Sequence, residues 1–209
     1  MCFSAATSFT AGTLLSVLGA VSLRHAQTRF EIPFAAIPLL FGMQQISEGV
    51  VWVAQGKELS DINFYATQFF SFFSHVLWPV WIPVATLAIE PSIIRRRLLY
   101  VSLLIGAAVS MFLLFSMLTY PVKASPSNGH IEYFEPHLFQ LASVIGYLSA
   151  STLSLLISSH QCVQYFGVLT AISLVVSYWL YMQWFTSVWC FFAALMSFSV
   201  VICMSRLKR

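Results

Sequence analysis

The chain has 209 residues, of which 59% are hydrophobic and only 8% are charged, with a formal net charge of +3. Ordinary soluble domains carry about 25% charged residues, and they do not contain repeated apolar runs of about 20 residues. The composition therefore excludes a soluble enzyme module, and nothing in it suggests nucleic-acid binding. We predict an all-α, polytopic membrane bundle that forms a single domain over residues 1–209.

Seven apolar segments follow one another along the chain. They cover residues 9–23, 33–54, 63–89, 98–118, 138–157, 165–184 and 186–204. Pro79 and Pro83 predict a bend in the long third segment, because each proline removes an internal hydrogen bond. The one sizeable connection, 119–137, follows the fourth segment and is a candidate lid.

Basic residues are distributed unequally between the connections. Only Lys57 and Lys123 follow even-numbered segments. The other eight follow odd-numbered ones: Arg24, Arg29, Arg95, Arg96, Arg97, Arg206, Lys208 and Arg209. Because cytoplasmic loops hold an excess of Lys and Arg, we predict a multi-pass protein of the bacterial inner membrane. Its amino terminus would lie outside and its carboxyl terminus in the cytoplasm.

One acidic residue lies deep inside a predicted span. Glu48 is about six residues before the outer end of the second segment, which is roughly 9 Å at 1.5 Å per residue. An ionisable group at that depth is costly unless it is paired or hydrated, and it marks a candidate functional site. Gln44, Gln45 and Trp52 lie on the same side of this helix.

A second polar stripe lies on the third segment, where Gln68 and Ser71 precede His75, the only histidine well inside a span. The fifth segment begins near His137 and Gln140. These stripes thicken toward the outer side, which predicts a pocket open to the outside rather than a pore. Its substrate-binding candidates are Gln44, Gln45, Gln68, Gln140 and Trp52.

Glu48 and His75 are the candidate catalytic pair, and a divalent metal, with zinc favoured, is the candidate cofactor. Zinc binds histidine nitrogen and carboxylate oxygen, and a catalytic zinc keeps one position for water. His130 or His137 from the outer loop would complete the ligand set. Two alternatives stay open, namely a hydrogen-bonded Glu48–His75 pair without metal, and no direct contact between the two side chains.

Two cysteines are predicted near the outer face. Cys2 would become an amino-terminal thiol if the initiator methionine were removed, and such a thiol can bind metal or act as a nucleophile. A Cys2–Cys190 disulfide is a further possibility in an oxidising periplasm. The last span has no lysine before Lys208, so no retinal is expected.

Several motifs resemble an uncharacterised bacterial membrane-protein family. They are the opening Met-Cys-Phe-Ser-Ala, Phe-Gly-Met-Gln-Gln-Ile-Ser-Glu at 41–48, Trp-Pro-Val-Trp-Ile-Pro at 78–83 and Ser-Val-Trp-Cys at 187–190. More faintly, Ser71-x-x-x-His75 is similar to a motif of ceramidase and progestin-receptor-like membrane hydrolases. That likeness implies a seven-helix zinc enzyme, although the seventh span here contains no histidine.

We therefore expect a metal-dependent membrane hydrolase or a binding protein, whose partners are membrane lipids and a lipid or small-molecule ligand. A proton-coupled transporter is the main alternative, because a carboxylate and an imidazole can form a proton relay. A sensor or assembly protein without chemistry is the third possibility. The sequence identifies no protein partner.

Overall fold

The computed structural model describes residues 4–127, 129–134 and 141–206, which are almost entirely helical. The helices are α1 (Ala5–His25), α2 (Ile32–Ala35), α3 (Ile37–Gly56), α4 (Ser60–Ser71), α5 (Trp78–Ile89), α6 (Ile93–Thr119), α7 (Leu141–Leu148), α8 (Ser154–Ile157), α9 (Gln161–Tyr181), α10 (Phe185–Met196) and α11 (Phe198–Arg206). Two π-helical turns, Phe72–Leu77 and Ser149–Leu153, connect α4 to α5 and α7 to α8. A 3₁₀ turn, Met182–Trp184, connects α9 to α10.

Within the described ranges, five helical stretches are long and apolar enough to cross a membrane: Ala5–His25, Ile32–Gly56, Ser60–Ile89, Ile93–Thr119 and Gln161–Arg206. The predicted fifth segment corresponds to a shorter apolar helix, Ala142–Ile157. The predicted sixth and seventh segments share one stretch of 46 residues, in which α10 packs back against α9 after the 3₁₀ turn. The all-α fold is thus confirmed, while seven crossings and their orientation stay predictions.

Small residues allow α1 and α3 to pack closely. A Cβ atom at Gly19 would clash with the backbone of Leu39, and one at Gly12 would lie 2.9 Å from the carbonyl oxygen of Gly42. Small residues permit this approach between membrane helices. The contact holds α3, and the polar residues that it carries, firmly in the bundle.

The long third segment is irregular just before its first proline. The π-helical turn Phe72–Leu77 leads directly into α5 at Trp78. Pro79 lies in the first turn of α5, where the lack of an amide hydrogen in proline is tolerated. Pro83 lies inside α5. Because π-helical turns often occur at functional sites, the position of His75 within this turn is notable.

One end of the bundle is tied together by hydrogen bonds between two connections. The Glu90 carboxylate accepts hydrogen bonds from the backbone nitrogen and the hydroxyl of Ser159 at 2.7 and 2.5 Å, and Arg95 donates to the Ser158 carbonyl oxygen at 2.5 Å. Burial acts to raise the pKa of Glu90, but the hydrogen bonds from Ser159 and Ser92 outweigh it and lower that pKa below the ordinary 4.5. This is also the arginine-rich end predicted to face the cytoplasm.

A disulfide joins α9 to α11 at the same end. Cys162 and Cys203 are 41 residues apart in sequence and their Cα atoms are 5.4 Å apart. The sequence did not identify this pair, because no short cysteine motif marks it. It ties the beginning of α9 to the end of α11.

At the opposite end, the predicted loop contains a β-hairpin. Strand β1 (Lys123–Ser127) pairs antiparallel with β2 (His130–Phe134) around a turn in which Gly129 has φ 75°. The apolar pattern predicted only a connection and candidate lid here, although the Asn128-Gly129 dipeptide is a sequence signal that favours a hairpin. Tyr133 stacks on Phe70 of α4 with ring centroids 4.6 Å apart, which seats the hairpin on the helices.

Candidate functional site

Glu48 bonds to a serine from the far end of the sequence. The Ser187 hydroxyl on α10 donates to Oε1 of Glu48 on α3 at 2.5 Å, and both residues are fully buried. Gln45 faces the same carboxyl group, although its amide does not reach hydrogen-bond geometry. The other carboxyl oxygen, Oε2, has no hydrogen-bond partner among the described residues. The pair joins α3 to α10 in the half of the bundle nearer the hairpin.

Gln44 lies one turn before Glu48 and joins α3 to α5. Its Oε1 accepts a hydrogen bond from Trp78 Nε1 at 2.8 Å, and the Trp78 ring stacks on Phe41 at 3.9 Å between centroids. Gln44 is fully buried. This arrangement closes the polar region on the side away from the hairpin.

The His75 ring bonds to residues of its own helical segment. Its Nδ1 lies 2.9 Å from the carbonyl oxygen of Ser71 and 2.8 Å from the hydroxyl of Ser74. A carbonyl can only accept, so a proton on Nδ1 satisfies the Ser71 contact. The hydrogen bonds of Glu48 and His75 thus run to different residues, Ser187 for Glu48 and Ser71 and Ser74 for His75.

The predicted metal ligands do not assemble in the part of the chain that the structure describes. No group of three or more His, Cys, Asp or Glu side chains in those residues could hold a metal ion. His130 is on the hairpin, where its ring stacks on Trp184 at 4.5 Å between centroids. His137 lies outside the described residues. The structure therefore gives no support to the zinc site expected from the sequence.

The other predicted residues are dispersed. Gln68 donates from Nε2 to the Val122 carbonyl oxygen at 2.8 Å, which ties α4 to the chain just before the hairpin. Trp52 packs against the apolar cluster beneath the hairpin. Cys190 is buried. Gln140 and Cys2 lie outside the described residues, and so does the predicted Cys2–Cys190 bond.

A cavity of about 480 Å³ lies between α7, α9, α10 and the first π-helical turn. Its wall is mostly apolar and aromatic. The lining residues Ser74, which contacts His75, and Thr186, which adjoins Ser187, bring the wall next to both polar groups. Further lining residues are Val144, Tyr147, Leu148, Leu174, Tyr178, Met182, Phe185, Trp189 and Cys190.

The cavity opens on the side of the bundle. Tyr178 and Met182 line it and are 50% and 61% exposed, whereas Tyr147 and Trp189 at its inner side are buried. A small apolar extension of about 30 Å³ continues inward past the same two residues. The cavity is therefore a lateral cleft with an apolar inner end.

The hairpin rests on the turn that borders this cleft. Gln183 donates to the Glu132 carboxylate at 3.0 Å, and Tyr181 lies beside His130 at 5.6 Å between ring centroids. Burial lowers the pKa of the His130 imidazole below the ordinary 6.5. Met182 and Phe185 flank this contact, and both residues line the cleft. The hairpin therefore borders the mouth of the cleft. A lid function stays a prediction.

Residues 1–209 match the model of a family of unknown function, DUF6629. The chain belongs to this family. No curated protein and no solved structure matches it. Membership of an uncharacterised family is thus confirmed, and the fainter likeness to ceramidase-type hydrolases finds no support in these comparisons.

Sequence reasoning missed the cleft in this DUF6629 family member because its lining residues look like ordinary helix packing. Leu174 and Tyr178 on α9 and Met182 directly after it recur every four residues, and Phe185 and Trp189 do so on α10. This spacing indicates one face of a helix. It does not reveal whether that face meets a neighbouring helix or a cavity.

Proposed function

We propose that this protein is a membrane-embedded binding protein for a lipid or a similar amphiphile, whose apolar chain occupies the lateral cleft. The cleft of about 480 Å³ carries the proposal, because its wall is mostly apolar and its mouth lies on the side of the bundle. One water molecule occupies roughly 30 Å³ in the liquid, and a methylene group is of similar size. The cleft volume therefore accommodates a chain of many methylene groups. Apolar pockets with a few polar groups are typical ligand sites.

The proposed setting is a bacterial inner membrane that the chain crosses seven times with its amino terminus outside. Support comes from the five apolar helical stretches, the shorter helix Ala142–Ile157 and the reversal of the last stretch at Met182–Trp184. The excess of arginine at the end that contains Arg95 and Arg206 favours a cytoplasmic position for that end. The cleft would then face the outer leaflet.

Binding is favoured over hydrolysis by the position of the polar groups. Glu48 and Ser187 are fully buried and do not line the cleft, although Thr186 beside them does. Ser74 and Thr186 add polar atoms to the apolar wall, but the Ser74 hydroxyl already donates to the Ser71 carbonyl oxygen at 3.2 Å. Glu48 holds the wall in place through Ser187.

A photoactivatable 16-carbon fatty acid tests the proposal. We expect it to label the purified protein on the cleft residues of α7, α9 and α10, as mapped by peptide mass spectrometry. A Leu174→Trp substitution fills the cleft from a lining position. It should reduce labelling of these residues at least tenfold.

The matched control is Leu104→Trp, because Leu104 lies on α6, is 71% exposed and does not line the cleft. It should label like the unmodified protein. Labelling spread evenly over all lipid-facing helices, or unchanged labelling in Leu174→Trp, contradicts the proposal.

A further inference from the structure

A row of buried polar atoms lies along the face of α3 that contains Glu48. Gln45, Glu48, Trp52 and Gln55 follow one another at spacings of three, four and three residues, which places them on one helical face. Gln45 Nε2 and Oε1, Glu48 Oε2, Trp52 Nε1 and Gln55 Nε2 and Oε1 are all buried and have no hydrogen-bond partner in the described residues. Buried polar atoms nearly always have a partner in the protein or in bound water.

The spacing of these groups suits a continuous file of water molecules. Residues three or four apart on a helix have Cβ atoms about 5–6 Å apart, so water molecules bound to neighbouring side chains are close enough to hydrogen-bond to one another as well. Buried waters of this kind typically make about three hydrogen bonds to otherwise unsatisfied groups. Glutamine and carboxyl groups supply both donors and acceptors for such a row.

We propose that bound water molecules follow this face of α3 and connect the Glu48 carboxyl group with the outer surface for proton exchange. A proton that leaves the protonated Glu48 carboxyl group is taken up by the adjacent water, which passes one of its own protons to the next water outward, while the Trp52 indole and the glutamine amides hold these waters in place and do not carry the proton. The net result is one proton released to the outer solution and one carboxylate. This inference does not depend on what the cleft binds.

The row of polar groups reaches the protein surface only at the carboxyl-terminal end of α3. Gln55 is seven residues beyond Glu48, or about 10.5 Å at 1.5 Å per residue, and it adjoins the exposed Gly56 and Lys57 at the end of α3. In the other direction the Gln44–Trp78 hydrogen bond and the Phe41 ring close the face.

The surroundings of Glu48 leave water as the natural exchange partner. The elements packed against α3 are α1, α2, α4, α10, α11 and β1. Their titratable or charged residues are Arg24, His25, Asp61, Tyr65, Lys123, Cys190 and Arg206. None of these forms an ion pair with Glu48 in the described residues, and the carboxyl group bonds instead to the neutral Ser187 hydroxyl.

Infrared spectroscopy of the purified full-length protein tests the proposal. The Glu48 carboxyl band is identified by its loss in Glu48→Gln, and its isotope shift is followed after transfer from H₂O to D₂O. We expect the shift to be complete within seconds in the unmodified protein. In Gln55→Leu, which interrupts the row at its outer end, it should be at least tenfold slower.

Trp52→Phe is a second variant that keeps the ring but removes the indole donor, and it should also slow the shift. Gln27→Leu is the matched control, because Gln27 is exposed in the connection after α1. It should exchange like the unmodified protein. A band that does not respond to D₂O over hours, or one that shifts equally fast in Gln55→Leu and Trp52→Phe, overturns the proposal.

Discussion

Replacing Ser187 by alanine removes the hydrogen bond that Glu48 receives from outside its own helix. Both side chains are fully buried and the donor and acceptor oxygens are 2.5 Å apart. After Ser187→Ala the carboxyl group would lie in the bundle without its donor. A lost buried hydrogen bond of this type costs about 1–3 kcal/mol, and side-chain hydrogen bonds within membranes reach at most about 1.7 kcal/mol in the best-measured case. We therefore expect a loss of about 1–2 kcal/mol in the free energy of unfolding.

Ser173→Ala is the matched control. Ser173 is also buried, but its hydroxyl donates to the carbonyl oxygen of Thr170 within the same helix. Both substitutions replace serine by alanine in a helix, so the same helix-propensity gain applies to each. The difference between the two variants isolates the Ser187–Glu48 hydrogen bond, and Ser173→Ala should change stability by less than about 0.5 kcal/mol.

The assay is reversible unfolding in mixed detergent micelles, with a double-mutant cycle of Ser187→Ala and Glu48→Leu. Directly interacting residues give coupling energies of about 0.5–3 kcal/mol in such cycles, and we expect about 1–2 kcal/mol here. A coupling energy near zero, or equal losses in Ser187→Ala and Ser173→Ala, would refute the role of this hydrogen bond.

Three further predictions concern packing, pH and the cysteine pair. Gly106→Ala should destabilise the protein by more than about 2 kcal/mol in the same unfolding assay, because the added Cβ would clash with the backbone of α5. Gly56→Ala is the control and should not destabilise it, because a Cβ there has no atom within 4 Å. Because burial lowers the pKa of His130, docking of the hairpin should be fully stable above about pH 7 and weaken as pH falls below the ordinary 6.5, as read from protease cleavage of the hairpin; a pH-independent cleavage rate would contradict this. Cys162 and Cys203 are joined by a disulfide, whereas the proposed orientation puts them in the cytoplasm, which keeps thiols reduced. That orientation therefore predicts that the bond forms only on isolation: maleimide labelling should find both cysteines as thiols in acid-quenched cells and as a disulfide in the purified protein, and a pair already oxidised in the cells would contradict the orientation.

The sequence was sufficient to predict the helical fold and the burial of Glu48. Long apolar segments can only be accommodated as helices in a membrane, and a carboxyl group in the middle of one is conspicuous. The π-helical turn around His75 was not predictable from its residues, because the pattern Gln68, Ser71, His75 fits an ordinary helix equally well. The turn depends on how the segment packs against α5 and α6.

The partner of Glu48 could not be predicted either. Ser187 is 139 residues away in sequence, and many other serines lie in the apolar segments. Which of them meets Glu48 depends on how α10 folds back after the 3₁₀ turn, and no local pattern specifies this. The hairpin, by contrast, had a local sequence signal in Asn128-Gly129. Strand β1 was not predicted because it contains few hydrophobic residues.

The linked connections at the arginine-rich end restrict how the bundle can deform. The Glu90–Ser159 and Arg95–Ser158 hydrogen bonds hold the start of α6 to the residues before α9, while α7 and α8 lie between them in sequence. If a guest molecule enters from the side, the helices must spread at their hairpin-proximal halves and flex at Ser149–Leu153. Molecules that enter the bundle would therefore come from the membrane leaflet that contacts those halves.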